Sequence, residues 1–283
     1  MKFLRNTIVL VLMLGLLLSA AGCKTGEKDQ DKSETPSVPI IKTTDVAVYY
    51  PKMTDNETYL VREVHKVKKS SNLPRTALEE LIEGQPVTEG ARQIIPSSTN
   101  VLDIEINDQG VATVNFSADV LNANVGAEGE GVGIASIVNT LTEFRNIKQV
   151  SFMVDGEVEK AMDWWGHVGL YKQPFSRDLS VVHEPTIWVT SPAPGELISN
   201  GSELSGSARV FEATVAYRLK DANANVLAKG FTMASEGAPG RGDFKTSIDF
   251  KSPGPGKGKL EVFWSSMKDG SDQDKVVIPV EWK

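Results

Sequence analysis

The sequence predicts two folded domains of different class: an α+β domain with a mixed sheet and two helices over residues 44–177, then an all-β sandwich over residues 187–283. Two segments of the first half repeat apolar residues at helical spacing, whereas the second half shows short alternating runs about every ten residues. The change of pattern falls near residue 180. Residues 178–186 are therefore predicted to be an extended linker between the domains.

The first domain begins with strands and a helix. Residues 45–50 and 59–64 are strand-like and flank a turn. A helix is predicted to begin at Pro74 and to end before Gly84. Its apolar face consists of Ala77, Leu78, Leu81 and Ile82.

A hairpin, a second helix and a strand complete this domain. Alternating apolar residues over 102–106 and 112–116 flank the turn at 107–110. Residues 150–154 form a further strand. The second helix is predicted from an apolar stripe made of Ile134, Ile137, Val138, Leu141 and Phe144.

The second domain is predicted from seven alternating runs with turn residues between them. With a single cysteine in the chain, no disulfide can join its sheets, so its stability must come from an apolar core. The seven runs cover residues 187–189, 204–210, 215–219, 226–228, 244–250, 260–264 and 276–280.

The single cysteine, Cys23, follows a signal sequence. Lys2 and Arg5 precede an apolar stretch over residues 8–18, which is too short to span a bilayer, and small residues then lead to Cys23. This segment resembles the bacterial lipoprotein signal, although Ala20 stands where the family usually has leucine. The resemblance implies cleavage before Cys23 and a diacylglycerol and acyl lipid on its thiol. An ordinary secretory signal with a chance cysteine is the alternative.

The mature chain would carry 28 basic and 37 acidic residues, a net charge of −9. This acidity argues against nucleic acid as a partner, because phosphate binding needs a surplus of Lys and Arg. Residues 23–43 are polar and contain proline, as expected of a flexible tether. We therefore expect a protein held at the outer face of the cytoplasmic membrane by the lipid on Cys23, with no other cofactor.

Several segments point to known families. In the first domain they are residues 78–84, 95–99, 110–117, 137–144, 150–156 and 166–167; in the second they are 191–195, 206–213, 240–244, 268–271 and 278–280. The first set resembles the GerM-type sporulation and germination domain, and the second resembles the immunoglobulin-like domain of bacterial spore germination. The resemblance implies an extracytoplasmic lipoprotein of a spore-forming bacterium that acts through contacts with envelope or sporulation proteins, including self-association.

Sequence motifs that would indicate catalysis or ligand binding are weak in this chain. Gly129, Gly131 and Gly133 lack the spacing of a phosphate loop and indicate a flexible loop and the start of the second helix. We expect His65 and His183 to face solvent, and His167 to stabilise a turn by packing or to act as a functional group. No metal motif and no activated nucleophile is recognisable, so we expect no metal site and no enzyme activity. The tripeptide at 241–243 is interpreted as a chance Arg-Gly-Asp.

Trp164 and Trp165, together with His167, are the candidate interaction surface, because aromatic residues are enriched at interface hot spots. Packing of the two tryptophans between the domains is an equal alternative. Two functions remain open at this point. One is a protein-interaction and assembly module, and the other is a lipoprotein whose sandwich binds peptidoglycan or another envelope glycan.

We expect Cys23→Ala to release the protein from the membrane fraction of its source cell, because the substitution removes the atom that carries the lipid. Fractionation followed by immunoblotting measures this. Cys23→Ala protein that still sediments with membranes would contradict lipid anchoring.

Overall fold

Strands dominate the part of the chain that the structure describes, which is residues 42–283 of a computed structural model, apart from the side chain of Asp163. Fifteen strands and three α-helices occur within this range. Cys23 and the predicted signal lie outside the described residues, as does the predicted tether up to residue 41. None of the helices between residues 42 and 283 has the length and apolar character needed to cross a bilayer.

The first domain contains two sheets. Strand order is β1-β2-β7 in one sheet and β3-β4-β5-β6 in the other, and β4 pairs with β5 in parallel. Helices α1 and α2 contact strands of both sheets. The elements follow in the order β1 (Thr43–Met53), β2 (Thr58–Lys68), α1 (Leu73–Glu83), β3 (Val101–Ile106), β4 (Val111–Phe116), α2 (Gly126–Leu141), β5 (Gln149–Val154), α3 (Val158–Asp163), β6 (Phe175–Ser176) and β7 (Val182–Glu184).

The prediction of one mixed sheet and two helices therefore differs from the structure. The hairpin of β1 and β2 takes as its third strand β7, which lies in the predicted linker and pairs in parallel with β2. Pairing between segments so far apart leaves no trace in local periodicity. The third helix, α3, has six residues, too few to show a helical stripe.

Helix α1 forms as the sequence predicts. The Asn72 side chain accepts a hydrogen bond from the backbone N–H of Arg75 at 3.1 Å, and Pro74 lies in the first turn. The helix ends before Gly84, whose N–H donates to the carbonyl of Glu80 at 2.8 Å. The predicted apolar face is confirmed, since Ala77, Leu78, Leu81 and Ile82 are all buried.

Helix α2 begins earlier than the sequence indicates. Gly129, Gly131 and Gly133 lie within its first turns, so the predicted helix start is confirmed and the predicted flexible loop is wrong. At its other end α2 stops at Leu141, and Phe144 packs against the core from beyond the helix. A close approach explains one glycine: a Cβ on Gly133 would lie 2.5 Å from Cη2 of Trp165.

Trp164 and Trp165 are buried in the core of the first domain, which corrects their prediction as a surface and also the alternative of packing between domains. Their rings stack with centroids 4.5 Å apart. Trp164 also meets Phe116 and Phe152 edge-on, at 5.7 and 5.6 Å. Aromatic rings of this size stabilise a core most when they are removed from water, and the turn after α3 places both rings there.

The second domain is a sandwich of a three-stranded sheet, β13-β10-β8, and a five-stranded sheet, β12-β11-β14-β15-β9. All seven predicted runs are strands, and β9 is an additional short strand. The strands are β8 (Ile187–Ser191), β9 (Glu196–Ile198), β10 (Ser202–Ala208), β11 (Thr214–Asp221), β12 (Val226–Met233), β13 (Gly242–Ile248), β14 (Gly256–Ser265) and β15 (Asp272–Trp282).

The two domains and the linker belong to one compact unit, Ile41–Lys283. A small apolar cluster, separate from the two domain cores, connects them. It consists of Tyr49, Leu60, Val132, Val182 and Trp188. We call this cluster and the polar groups around it the domain junction. Its members come from β1, β2, α2, β7 and β8, so the linker is packed between the domains.

Gly133→Ala is expected to destabilise the protein by about 1–3 kcal/mol, because the new methyl group would overlap the buried ring of Trp165. Urea unfolding followed by circular dichroism measures the change. Gly131→Ala is the matched control in the same helix. It meets no atom within 4 Å and should stabilise by about 0.5–1 kcal/mol. Equal effects of the two substitutions would contradict the packing of Gly133 on Trp165.

Candidate functional site at the domain junction

Arg241 connects the second domain to the linker. It directly precedes β13, and its side chain is buried at the domain junction. The guanidinium donates to four backbone carbonyls: Nε to Val182 at 2.9 Å, Nη1 to Thr186 at 3.4 Å, and Nη2 to His183 at 3.2 Å and to Pro185 at 2.5 Å. Five N–H donors in one plane suit this arrangement.

Trp188 lies beside the same guanidinium. The Cζ atom of Arg241 is 4.0 Å from the Trp188 ring centroid, and Cζ of Arg62, in β2 of the first domain, is 5.3 Å from it. Both distances are within the range of cation–π attraction, which is strongest where water is excluded. One ring of the second domain thus contacts an arginine from each domain.

Arg241 keeps its charge in this buried position. Burial, together with repulsion from Arg209 and Arg62, lowers the pKa of Arg241 to about 9, which still leaves the guanidinium protonated at neutral pH. Within residues 42–283 it forms no ion pair with a carboxylate. The backbone carbonyls and the Trp188 ring therefore offset the cost of removing the Arg241 charge from water.

Glu143 organises the first-domain side of the junction. Its carboxylate accepts hydrogen bonds from the Tyr49 hydroxyl at 2.5 Å, from Arg62 at 3.2 and 3.3 Å, and from Arg177 at 2.5 Å. Burial opposes ionisation of Glu143, but Arg62, Arg177 and the Tyr49 hydroxyl outweigh it and lower its pKa to about 2. Burial and the Glu143 charge raise the pKa of Tyr49, so its hydroxyl remains a donor.

A cleft of about 570 Å³ opens beside this network. Glu143 and Arg177 line it from the first domain, and Thr190, Ser205 and Lys245 line it from the second. Clefts of this volume at domain interfaces are typical places for small-molecule and polymer binding.

The histidines occupy different environments from those predicted. His65 lies largely covered between two carboxylates, with Nδ1 at 2.8 Å from Glu80 and Nε2 at 2.7 Å from Glu63, so its predicted exposure is wrong. His183 is also mostly buried, since its ring stacks on Tyr59 at 4.6 Å. Both rings are covered by segments distant in sequence, which alternation within a strand cannot reveal.

His167 is the member of the predicted interaction surface that faces solvent, with a side chain 70% exposed. Its backbone N–H donates to Glu130 at 2.9 Å, and its Nδ1 lies 3.0 Å from the same carboxylate. These contacts join the segment around His167 to α2, but the side chain is largely exposed, so the predicted packing is wrong. Across the described part of the chain, no three His, Cys, Asp or Glu side chains are grouped so that they could hold a metal ion.

An apolar edge on the second domain was missed by sequence reasoning. β12 is the end strand of its sheet, and Phe231 and Met233 lie two residues apart on it with side chains 71% and 54% exposed. Phe211, which lies just before β11, is also about half exposed. Edge strands usually carry polar or charged residues on their exposed face. The alternating apolar residues of this strand could have indicated an exposed surface, but alternation predicts a buried face equally well.

Comparison with known families agrees with the two-domain architecture. Residues 47–160 match the family described as "Sporulation and spore germination". Residues 186–271 match the "Immunoglobulin-like domain of bacterial spore germination". The chain thus contains one domain that matches each of these two families.

Among its relatives, spore germination protein GerM of Bacillus subtilis (strain 168) is 30% identical over 156 residues, which cover 54% of this chain and 40% of that protein. The chain therefore spans less than half the length of this relative. The solved first GerMN domain of B. subtilis GerM is 28% identical and covers 41% of this chain and 85% of its own, with a TM-score of 0.35. The tandem GerMN domains of that protein are 21% identical, cover 74% and 62%, and have a TM-score of 0.38.

Arg241→Gln is expected to lower the free energy of unfolding by about 3 kcal/mol, because it leaves buried carbonyls of the linker without donors. Calorimetry should show the second domain unfolding separately from the first. Arg209→Gln is the control, since Arg209 is only partly buried and its Nε donates to one carbonyl, that of Pro239. A single unchanged transition in Arg241→Gln would contradict a role in joining the domains.

His65→Gln should destabilise the protein more at pH 5.5 than at pH 8.5. Burial lowers the pKa of His65, but hydrogen bonds and charges from Glu80 and Glu63 outweigh it and raise the pKa above 6.5. The contribution is therefore complete below the unfolded pKa and is lost as pH rises through the folded pKa. Urea unfolding at both pH values measures it. Lys66→Gln, which removes an exposed ion pair of the same strand, should cost the same at both values.

Proposed function

We propose that the protein is a non-catalytic interaction and assembly module of sporulation or spore germination. In this proposal it is held at the outer face of the cytoplasmic membrane by a lipid on Cys23. The family matches of both domains support the process, and the sequence around Cys23 supports the anchor.

The observation that carries the interaction role is the exposed apolar edge at β12. Phe231 and Met233 place an aromatic ring and a thioether in solvent, on a strand that pairs with β11 on one side. Aromatic residues and methionine are enriched at protein interfaces. An end strand also presents backbone groups to which a further strand can bond. This edge replaces the tryptophan pair as the candidate interaction surface.

The joined domains support an assembly role. Arg241 ties the second domain to the linker, and the linker strand β7 pairs with β2 of the first domain. A binding surface on one domain therefore has a fixed orientation relative to the other domain. Building blocks of this kind can form regular contacts with copies of themselves or with other envelope proteins.

We expect the full chain in detergent to associate as its concentration rises, and Phe231→Ser to shift it toward the monomer, because the substitution removes the largest apolar surface of the edge. Sedimentation velocity measures the distribution. Met267→Ser is the control in the same domain, since Met267 is 74% exposed and lies in a turn outside β12. A chain that stays monomeric at every concentration would contradict self-assembly, and equal effects of both variants would exclude β12 as the surface.

A second candidate function, binding of an envelope glycan, is favoured by the cleft at the domain junction. The cleft has the volume of a ligand site, and polar side chains of both domains line it. Co-sedimentation of the full chain with purified cell walls tests this function independently of self-association.

A further inference from the structure

The outer edge of β12 offers backbone groups as well as apolar side chains. The N–H of Ala234 donates to the carbonyl of Ala213 at 2.8 Å, and these two residues continue the register between β12 and β11. Residues that bond to the neighbouring strand alternate with residues that do not. The N–H and C=O groups of Lys229, Phe231 and Met233 therefore point away from β11. Between residues 42 and 283, no further strand pairs with this edge.

An apolar row crosses the outer face of the five-stranded sheet and ends at the same edge. Ala216 of β11 lies opposite Phe263 of β14 on one side and opposite Phe231 of β12 on the other. Side chains at directly opposite positions project from the same face of a sheet. Phe263 is buried, with Cζ of Arg218 at 4.7 Å from its ring centroid, whereas Phe231 is 71% exposed. The row therefore ends on an uncovered aromatic ring.

The distribution of charge favours a second copy of this chain as the occupant of the edge. Residues 187–283 hold 12 basic and 12 acidic residues, whereas residues 44–177 hold 12 basic and 19 acidic residues. Two copies can therefore meet through their second domains without the repulsion that their first domains would cause. Lys229 is the one charged residue of β12, so the strand has no pattern of charge that would select a basic or acidic partner.

A lipid surface is a poorer occupant of this edge. On the same face of the sheet, Arg218 pairs with Glu261 at 3.2 Å and with Asp272 at 3.3 Å, and Lys275 pairs with Asp272 at 2.8 Å. Insertion of this face into a bilayer would remove these charges from water at a high cost. A strand added to the edge extends the sheet in its own plane and leaves the ion pairs in solvent.

We propose that β12 pairs with β12 of a second copy, antiparallel about a two-fold axis that passes beside Phe231. The proposal rests on the interaction role of β12 and adds its partner and register. Phe231 then lies opposite the partner's Phe231, and Lys229 lies opposite the partner's Met233. The apolar row continues from one sheet into the other. Pairing about Lys229 would instead place two ammonium groups directly opposite each other, which destabilises a sheet.

The contact between the two strands is small, because β12 has eight residues. Stable complexes bury about 1,200–2,000 Å² of surface, so we expect a weak dimer that forms at high local concentration. Chains held on one membrane by a lipid would reach such a concentration. A covalent trap is therefore the suitable test.

Disulfide trapping of the full chain in detergent tests the register. In Lys229→Cys/Met233→Cys, opposite cysteines of the two copies would have Cα atoms about 5.5 Å apart, which a disulfide can span. In either single variant the two engineered cysteines would be at least about 13 Å apart, because four residues separate them along the strand. After oxidation with copper–phenanthroline, we expect at least about tenfold more disulfide-linked dimer from the double variant than from either single variant. Non-reducing electrophoresis measures it.

Three controls accompany this experiment. Wild type, whose sole cysteine is Cys23, shows any cross-link that this residue forms. Lys275→Cys/Pro279→Cys has the same spacing at exposed positions of β15, which has a neighbouring strand on each side, and should give no more dimer than a single variant. Circular dichroism checks the fold, which should be retained because Lys229 and Met233 are exposed.

Sedimentation separates failure of this inference from failure of the function on which it rests. If the chain associates and Phe231→Ser reverses the association, but the double variant gives no more dimer than its controls, the interaction role of β12 stands and the two-fold pairing is wrong. Equal trapping of single and double variants would also overturn the register. A chain that is monomeric at every concentration would overturn both.

A lipid occupant is tested separately with the Cys23→Ala chain, which cannot carry the proposed lipid. We expect this chain not to float with phosphatidylglycerol vesicles. Flotation that is lost in Cys23→Ala/Phe231→Ser would assign the edge to a lipid surface and overturn the second copy as its occupant.

Discussion

The contact of Arg241 with the linker is the interaction on which the arrangement of this protein depends. A single buried guanidinium satisfies the carbonyls of Val182, His183, Pro185 and Thr186. Buried carbonyls without donors cost free energy, and a charged donor without acceptors costs more. Neither partner is stable in this position without the other, so the linker has one conformation against the second domain.

The first domain is tied to the same place by a second set of contacts. Arg62 reaches both Glu143 and the Trp188 ring, and Arg177 donates to Glu143 next to the linker. Domains in one chain are expected to move relative to each other unless their interface is extensive or apolar. Here the apolar cluster around Trp188 is bordered by Arg62, which pairs with Glu143, and by Arg241, which donates to linker carbonyls. The cleft with Lys245 exists because these contacts hold its two walls together.

Local patterns in the sequence predict much of the fold. The face of α1 and the seven strands of the sandwich follow from periodicity, because each element buries one side against a core. Positions whose surroundings come from other elements are harder to predict. His65 lies in a strand beside lysines and reads as exposed, but Glu80 of α1 covers it. Gly133 reads as part of a loop, yet it belongs to a helix that must approach Trp165 closely. In both cases the decisive neighbour is remote in sequence.

The sequence by itself determined the class of each domain, their order and the place of the expected lipid anchor, because periodicity, turn residues and signal composition are local properties. Only the tertiary structure decided that the linker is a strand of the first domain, that Trp164 and Trp165 form core, and that Arg241 joins the domains. An arginine in an Arg-Gly-Asp tripeptide has no local signature of burial. Its role arises from carbonyls more than fifty residues away, which folding brings within hydrogen-bonding distance.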